Sequence, residues 1–299
     1  MQQIVFALAY GSIYSLLALA IGIVLSTTAI IHFAHASVVT VGAMVAFWVI
    51  GIYQLPYFVG LAAAIAVNVA LSILIYKLCV ERLGNLRTNI GWIITLFGAT
   101  LIIDNVARMR FGLQAQPFPF LFGGARIYVL GANIFLHEIV MVLVAASIGI
   151  FYQIMCNRTK VGRALRAVSI RPETANLMGI NSKSIIILSF AIAGAVAAIA
   201  GVLIAPYTFV SFAMTSRIGL QGFAAALIGG IGNTKGAFIG GLSLGAMEQL
   251  LTAFRVPPLF LNMFSFIIMI IVIIFLPGGI VSAKIFNRGD SGRPQAEKI

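Results

Sequence analysis

Residues 4–31 read IVFALAYGSIYSLLALAIGIVLSTTAII, an apolar stretch without a charged side chain. The uncharged region extends well beyond it, because Lys77 is the first charged residue of the chain. About 20 apolar residues are enough for a helix to span a bilayer. The stretch is longer than the apolar core of a signal peptide, and no basic residue precedes it. We therefore expect it to remain in the protein as a first transmembrane helix.

Charged residues are scarce in the rest of the chain as well. The 299 residues include 19 basic and 7 acidic side chains, and 61% of all residues are hydrophobic. Further uncharged runs cover 139–157, 184–216 and 256–283. A soluble protein of this size could not cover its surface with so few charges. We therefore predict a polytopic membrane protein whose crossings are helical, since open strands would leave unpaired backbone groups in hydrocarbon.

Charge and turn signals divide the chain into apolar segments and a shorter run that is too short to cross the bilayer by itself. The predicted fold is an all-α transmembrane helical bundle of about 8–9 crossings, with a broken or short Gly-rich helix near 220–245. Residues 1–287 form one transmembrane domain, and 288–299 form a polar tail that we expect to be disordered. The segments lie at about 4–26, 37–54, 57–77, 90–107, 137–156, 184–206, 236–253 and 259–277, and the short run at 220–231.

The positions of lysine and arginine predict the orientation, because basic residues collect in cytoplasmic loops. They cluster around 77–87, in 158–183 and in the tail. All three clusters can be cytoplasmic only if the short run also crosses. The N-terminus is then outside and the C-terminus cytoplasmic, with nine crossings, or eight and one irregular half-helix. The net charge of +12 does not indicate nucleic-acid binding, because these residues separate apolar runs.

The longest hydrophilic stretch inside the membrane domain is 157–184. Pro172 and Glu173 suit the first turn of a helix, and Gly179 suits the position just past its end. Arg163 and Arg166 would share one face of a helix over 160–168. A cytoplasmic helical hairpin with basic and apolar faces would suit the docking of a partner protein. The alternative is an ordinary basic loop on the cytoplasmic side.

A second informative stretch, 229–245, is rich in glycine at helical spacing. Gly232, Gly236 and Gly240 recur every four residues, a spacing that lets helix backbones approach closely in lipid. The break at Asn-Thr-Lys-Gly suggests two half-helices that meet at a turn and bind polar solutes there, or a tight hairpin without a ligand role. Lys235 is followed by glycine rather than Ser or Thr, so the stretch is not a nucleotide-binding loop.

Few polar or charged residues stand in or beside the apolar segments. His32 and His35 lie between the first two segments, where they could line a path or serve as interfacial residues bonded to loop backbone. Asp104 and Arg108 are four residues apart, a spacing that allows an ion pair. Glu248 lies within an apolar segment and should face the bundle interior, with either a structural partner or a solute. The motifs of hydrolases and zinc peptidases do not occur, and the two cysteines lack metal-ligand spacing.

Several motifs spread over residues 4–282 carry a family resemblance when they are taken together. They resemble the permease subunits of branched-chain amino acid ABC importers, the shorter of the two paralogous permeases. His32 stands where this family usually has Asn, and Ala36 where it usually has Gly. The motifs are Gly11-Ser-Ile-Tyr14, His32-Phe-Ala-His-Ala36, Ile94-Thr-Leu-Phe-Gly98, Thr159-Lys-Val-Gly-Arg-Ala-Leu-Arg-Ala167, the glycine-rich residues 222–232, and Leu276-Pro-Gly-Gly279.

The resemblance implies a permease that forms the translocation path for branched-chain amino acids or a related small polar solute. An extracytoplasmic binding protein would deliver the solute. The permease would pair with a paralogue or a second copy in the inner (plasma) membrane of a bacterium. Two cytoplasmic ATP-binding subunits would carry ATP and Mg, so this chain is expected to be no enzyme and to hold no cofactor or metal.

A self-sufficient secondary transporter or channel is the alternative function, and Glu248 is the candidate for its coupling acid.

The resemblance also implies roles for individual residues. The residues expected to couple to the ATPase are Lys160, Gly162, Arg163, Arg166, Ala175, Gly179 and Asn181 in the segment 157–184. The residues expected in the translocation path or in packing are His32, His35, Gly229, Gly230, Gly232, Gly236 and Glu248.

Overall fold

The computed structural model describes residues 2–83, 90–112, 114–129, 132–230, 232–275 and 279. These residues form a helical bundle with one short hairpin of two antiparallel strands, β1 (Arg126–Val129) and β2 (Ala132–Phe135). The predicted all-α membrane bundle is confirmed, whereas the tail 288–299 lies outside the described residues. The α-helices are α1 (Gln2–Thr28), α2 (His35–Phe47), α3 (Tyr57–Ile75), α4 (Gly91–Phe111), α5 (Leu136–Arg158), α6 (Lys160–Ile170), α7 (Pro172–Leu177), α8 (Ser182–Thr208), α9 (Met214–Gly229), α10 (Thr234–Ala253) and α11 (Pro258–Phe275).

Six of the described helices are long and apolar enough to cross a membrane, and they are α1 to α5 and α8. The span that begins with α2 includes the π-helical turn Trp48–Ile52, and the span that begins with α3 extends to Leu83. The short run predicted at 220–231 belongs to α9, which begins earlier, at Met214. With 16 residues at 1.5 Å per residue, α9 is about 24 Å long.

Helix α1 is the centre of the bundle. Every residue from Gly11 to Ile21 is buried, so the helix is covered on all sides. Helices of this kind are apolar all round, which agrees with the sequence of α1. By contrast, only 11% of an 18-residue apolar stretch of α4 is buried, against 67% of the corresponding stretch of α1. The outer helices thus have broad faces that the described part of this chain does not cover.

Glycines on two faces of α10 allow the closest helix contacts of this core. A Cβ at Gly241 or Gly245 would run into the backbone of α1 at Ser15 or Gly11. A Cβ at Gly240, on another face of α10, would run into α9 at Ala225. Lipid provides no hydrophobic force between helices, so such close packing is a main source of their association. The glycine spacing in the sequence predicted this type of contact, and the structure confirms it.

Helices α1 and α8 run in opposite directions. Tyr10 near the start of α1 lies 5.6 Å, between ring centroids, from Tyr207 near the end of α8. At the other end, the hydroxyl groups of Thr27 and Ser189 are 2.8 Å apart. Helices α9 and α10 also form an antiparallel pair, because Gly229 packs against Gly236 next to their connecting turn.

The hairpin β1–β2 was not predicted from the sequence. It lies in the connection between α4 and α5, where the ring of Phe120 stacks on that of Phe135 at 5.4 Å. Phe120 also meets the rings of His137 and Tyr207 edge-on. The same connection pairs with the end of α8 through two backbone hydrogen bonds of 2.9 Å between Gln116 and Val210. Contacts between residues this far apart in the chain leave no local sequence pattern.

We predict that Gly241→Ala destabilises the fold, because the added methyl group meets the backbone of Ser15 and forces α1 and α10 apart. Overpacking of this kind costs about 1–3 kcal/mol. The matched control is Gly98→Ala in α4, where a Cβ would have nothing within 4 Å. Thermal unfolding of the detergent-solubilised chain should show a lower Tm for Gly241→Ala and an unchanged or slightly higher Tm for Gly98→Ala. Equal midpoints for the two variants would contradict the packing role of the α1–α10 contact.

Candidate functional site

A cavity of about 350 Å³ lies where α1, α2, α4 and α9 meet. Its wall is mostly apolar, with Leu17 and Ile21 from α1, Phe97 and Leu101 from α4, and Ile218 from α9. Polar side chains enter this wall from the connection between α1 and α2 and from the contact of α4 with α9. We call this space the histidine cavity, after the two residues described next.

His32 and His35 both line the histidine cavity. Each side chain is only 3% exposed, and their ring centroids are 5.8 Å apart. Within the residues that the structure describes, both ring nitrogens of His32 and Nε2 of His35 lack a hydrogen-bond partner. A buried polar atom without a partner costs about 1–3 kcal/mol. Such atoms are therefore available to a polar group that enters the cavity.

The tight connection between α1 and α2 places these histidines. The chain leaves α1 through Ala29, whose φ of +58° turns the backbone sharply. The amide of His35 then donates to the carbonyl of His32 at 3.1 Å and opens α2. The next residue, Ala36, packs against Gly219 of α9, where an added Cβ would collide with its methyl group. The alanine that departs from the family pattern is thus accommodated by a glycine on the facing helix.

Asp104 of α4 is the acidic residue of this cavity. Its Oδ1 accepts hydrogen bonds from Ser37 of α2 at 2.8 Å and from Thr215 of α9 at 3.0 Å. The hydroxyl of Thr215 also lies 2.9 Å from that of Thr40. The predicted spacing with Arg108 allowed an ion pair, but hydroxyl groups of two other helices bind Asp104 instead. No lysine or arginine is among the described residues that line the cavity.

Glu248 forms a separate polar cluster at some distance along the chain from the histidines. It is 6% exposed on α10 and accepts hydrogen bonds from three other helices. Tyr14 of α1 donates to Oε2 at 2.7 Å, Gln221 of α9 donates to Oε1 at 2.7 Å, and Ser265 of α11 donates to Oε1 at 3.2 Å. The carboxylate therefore has structural partners on three neighbouring helices, as a buried acid in a membrane requires.

The glycines of the 229–245 stretch shape a turn between α9 and α10. Gly230 and Gly232 have φ values of +94° and +83°, which other residues rarely adopt. Asn233 then caps α10, because its side-chain oxygen accepts from the amide of Lys235 at 3.0 Å. Gly236 packs on Gly229 just beside the turn. The predicted break is confirmed, and its two arms are helices of 16 and 20 residues.

This turn borders a second cavity, of about 310 Å³, which is more polar than the first. The cavity is enclosed by the last turns of α1 and α5, by α6 and by the α9–α10 turn. Arg166 and Asn157, which line it, share a hydrogen bond of 3.0 Å. Gly230, Gly232 and Asn233 complete its rim. The basic stretch and the glycine-rich stretch of the sequence therefore meet at one end of the bundle.

The stretch 157–184 forms the two short helices α6 and α7, as predicted. Thr159 caps α6 by accepting from the amide of Gly162 at 3.1 Å. Pro172 stands in the first turn of α7, and Gly179 follows its end with a φ of +81°. The hydroxyl of Ser182 donates to the carbonyl of Pro172 at 2.7 Å and ties the base of the hairpin together.

The residues expected to couple to an ATPase fall into two groups. Gly162 and Ala175 are buried, and a Cβ at Gly162 would collide with the backbone of Met155 and Cys156 in α5. Gly162 thus lets α6 pack directly on the end of α5. The exposed residues of the set are Lys160, Arg163, Arg166, Gly179 and Asn181.

Apolar side chains of the hairpin are exposed as well, and three of them are more exposed than Val161, which is 38% exposed. Ile170 is 68% exposed, Leu177 is 87% exposed and Met178 is 78% exposed. Clusters of exposed apolar side chains are typical of interaction surfaces. We call Ile170, Leu177 and Met178 together the hairpin patch.

Sequence reasoning missed most of the polar groups that bind the two acids. Thr215, Gln221, Ser37 and Tyr14 come from other helices, and nothing in the spacing around Asp104 or Glu248 points to them. The one available signal was Gln221, an amide side chain within a glycine- and alanine-rich segment. Of the residues predicted for the translocation path or for packing, His32 and His35 line the histidine cavity, Gly230 and Gly232 line the polar cavity, and Glu248 lines neither.

Comparison with known proteins agrees with a transport protein. A family model described as the permease component of branched-chain amino acid transport systems matches residues 3–273. The chain is 30% identical to the high-affinity branched-chain amino acid transport system permease protein LivH of Escherichia coli, over 100% of this chain and 97% of LivH. It is also 30% identical to the corresponding permease protein BraD of Pseudomonas aeruginosa, over 100% of this chain and 98% of BraD.

Among solved structures, PsaBC from Streptococcus pneumoniae in complex with Fab is similar to this chain. The similarity covers 93% of this chain and 94% of that chain, with a TM-score of 0.51 and 16% identity. At this level of identity the likeness concerns the fold.

We predict that Glu248→Ala destabilises the bundle strongly, because the buried donors of Tyr14 and Gln221 lose their acceptor, whereas Ser265 can still donate to the carbonyl of Leu261. Each group left unsatisfied costs about 1–3 kcal/mol. Met247→Ala is the control, since Met247 is the preceding residue of α10 and is 40% exposed. Thermal unfolding should give a much lower Tm for Glu248→Ala than for Met247→Ala. A wild-type Tm for Glu248→Ala would show that this cluster does not hold the four helices together.

Proposed function

This chain belongs to the permease family of branched-chain amino acid transport systems, and we propose that it is the membrane-spanning subunit of an ATP-driven importer. Its solute would be a branched-chain amino acid or a related small polar molecule. The observation that carries the proposal is the match over the whole membrane bundle together with the exposed hairpin patch on α6 and α7. A permease that works alone has no need of such a patch.

We propose nine crossings, formed by α1 to α5 and α8 to α11. The proposal is supported by the alternating directions of the helices. Gly22 of α1 and Gly232 in the α9–α10 turn lie together beside the hairpin, so these segments end on the same side. The connections at 112–135 and 209–213 are joined at the opposite end by the pairing of Gln116 with Val210. The basic hairpin then faces the cytoplasm, the N-terminus is outside and the C-terminus is cytoplasmic.

Two cytoplasmic ATP-binding subunits, which would hold ATP and Mg, are proposed to dock on the hairpin of this chain and of a second permease. That second permease would be a paralogue or another copy, and it would cover the exposed faces of the outer helices. An extracytoplasmic binding protein would deliver solute at the opposite end. The proposed setting is the inner (plasma) membrane of a bacterium.

The hairpin is well placed to pass movement of an ATPase to the bundle. Gly162 seats α6 directly on the end of α5, and Asn181 caps α8 by accepting from the amide of Ser184 at 3.2 Å. A shift of the hairpin would therefore move the ends of α5 and α8. The polar cavity beneath α6 gives the hairpin room to shift against α1 and the α9–α10 turn.

The alternative of a self-sufficient secondary transporter depended on Glu248 as a coupling acid. The three hydrogen bonds that Glu248 accepts from α1, α9 and α11 weigh against this role. A carboxylate that takes up and releases protons during transport would have to break these bonds in every cycle.

We predict that Leu177→Asp combined with Met178→Asp abolishes docking of the ATP-binding subunits, because charges replace the apolar part of the hairpin patch. Co-purification of the subunits should be lost, and ATP-driven uptake should fall at least about tenfold. Arg163→Glu with Arg166→Glu should weaken docking, because it removes two exposed basic side chains of the hairpin. Phe254→Asp is the control, since this 80% exposed residue lies at the other end of α10. Intact co-purification and uptake in both hairpin variants would rule out docking at the patch.

The orientation can be tested by cysteine labelling in a chain with Cys79 and Cys156 replaced by serine. An impermeant maleimide added to intact cells should label Phe254→Cys but not Lys160→Cys, because the two positions lie on opposite sides of the membrane. Inside-out vesicles should give the reverse pattern. Labelling of Lys160→Cys from outside would overturn the proposed topology.

A further inference from the structure

The histidine cavity combines three features that the proposed transport function leaves unexplained. Its wall is largely apolar, it contains a carboxylate without a cationic neighbour, and it contains buried imidazole nitrogens without partners. Buried polar groups in native proteins nearly always have a hydrogen-bond partner. A group of such exceptions around one cavity therefore indicates that a ligand provides the missing partners.

The carboxylate of Asp104 indicates a cationic group in the ligand. Hydrogen bonds from Ser37 and Thr215 both go to Oδ1, and within the described residues Oδ2 accepts none. Hydroxyl groups orient a carboxylate but do not neutralise its charge. An ammonium group can do both at Oδ2, since it has three donors and a positive charge.

The two histidines indicate an anionic or accepting group at another point of the same ligand. A neutral imidazole has one N–H donor. Both nitrogens of His32 and Nε2 of His35 are without partners in the described part of the chain, so each ring can turn a donor toward the cavity. Phe190 packs against His32 at 5.1 Å and holds its ring in place.

The apolar wall indicates what lies between the two charged groups. Leu17, Ile21, Phe97 and Phe223 present hydrocarbon to the cavity. A small site that is mostly apolar, with a few placed polar groups, is the usual form of a small-molecule pocket. A volume of about 350 Å³ suits one amino acid rather than a peptide.

We propose that the histidine cavity binds a zwitterionic amino acid with an aliphatic side chain, with Asp104 facing its ammonium group and His32 and His35 facing its carboxylate. The inference rests on the proposed function, because it takes the solute class from it and assigns the place and the residues with which this chain holds the solute. It also gives a reason for histidine at position 32. Histidine can donate a hydrogen bond to a carboxylate from a ring that Phe190 fixes.

Tryptophan fluorescence can report on this cavity. The chain has two tryptophans, and the ring of Trp92 stacks on Phe33, a wall residue, at 6.3 Å. Trp48 packs on Phe111 instead, so Trp48→Phe leaves Trp92 as the reporter. The experiment uses the full purified chain with this substitution in lipid nanodiscs. The ligands are L-leucine, 4-methylpentanoate, which lacks the ammonium group, and 3-methylbutylamine, which lacks the carboxylate.

The expected result is a saturable change in Trp92 emission with L-leucine, and binding of each of the two analogues at least about tenfold weaker. Asp104→Asn should weaken leucine binding by a similar factor and leave 4-methylpentanoate unaffected. His32→Leu should weaken leucine and leave 3-methylbutylamine unaffected. Asn105→Ala, which changes the exposed neighbour of Asp104, should alter none of the three.

Two results would overturn the proposal. One is the absence of a saturable response to L-leucine up to its solubility limit. The other is equal binding of all three ligands, which would show an apolar pocket for lipid or detergent. The comparison of ligands in the unsubstituted cavity keeps the test decisive if Asp104→Asn does not fold. Either negative result leaves the importer function standing, because docking and ATP-driven uptake are measured separately.

Discussion

The close approach of α1 and α10 is the contact on which the rest of this structure depends. Gly241 and Gly245 have no side chains to hold the helices apart, so the backbone of α10 reaches that of α1 at Ser15 and Gly11. In lipid, where apolar side chains gain nothing by leaving the solvent, contact area of this kind determines which helices associate. Once α10 is fixed on α1, the short α9–α10 turn places α9 beside both.

This arrangement places two acidic side chains, the buried Glu248 and the partly buried Asp104, against neighbouring helices. Glu248 is surrounded by donors from α1, α9 and α11 and joins the helices. Asp104 is held by hydroxyl groups at one oxygen only, in a wall of a cavity that also contains His32 and His35. A buried charge is expensive in a membrane. Glu248, which accepts hydrogen bonds at both oxygens, therefore fits a structural role. Asp104, which accepts them at one oxygen only, fits a role in solute recognition.

Particular residues show how far sequence reasoning reached. The caps at Thr159 and Asn233 and the turn at Gly179 are local signals, and helices begin or end beside them. If the basic clusters all lie on the cytoplasmic side, the chain must also cross the membrane near 220–231. Helix α9, which starts at Met214, lies there. The β-hairpin was not predicted, although its two strands lie within ten residues of sequence.

The sequence by itself determined that this is a helical membrane protein of a permease family, where its helices lie, and where its basic hairpin stands. These properties follow from composition, from charge-free runs matched to bilayer thickness and from spacing within single segments. Only the tertiary structure decided which polar groups meet. Tyr14 and Glu248 are 234 positions apart, and Ser37 and Asp104 are 67 apart. Such pairs depend on which helix faces pack together, and that packing is set by backbone contacts that no single segment encodes.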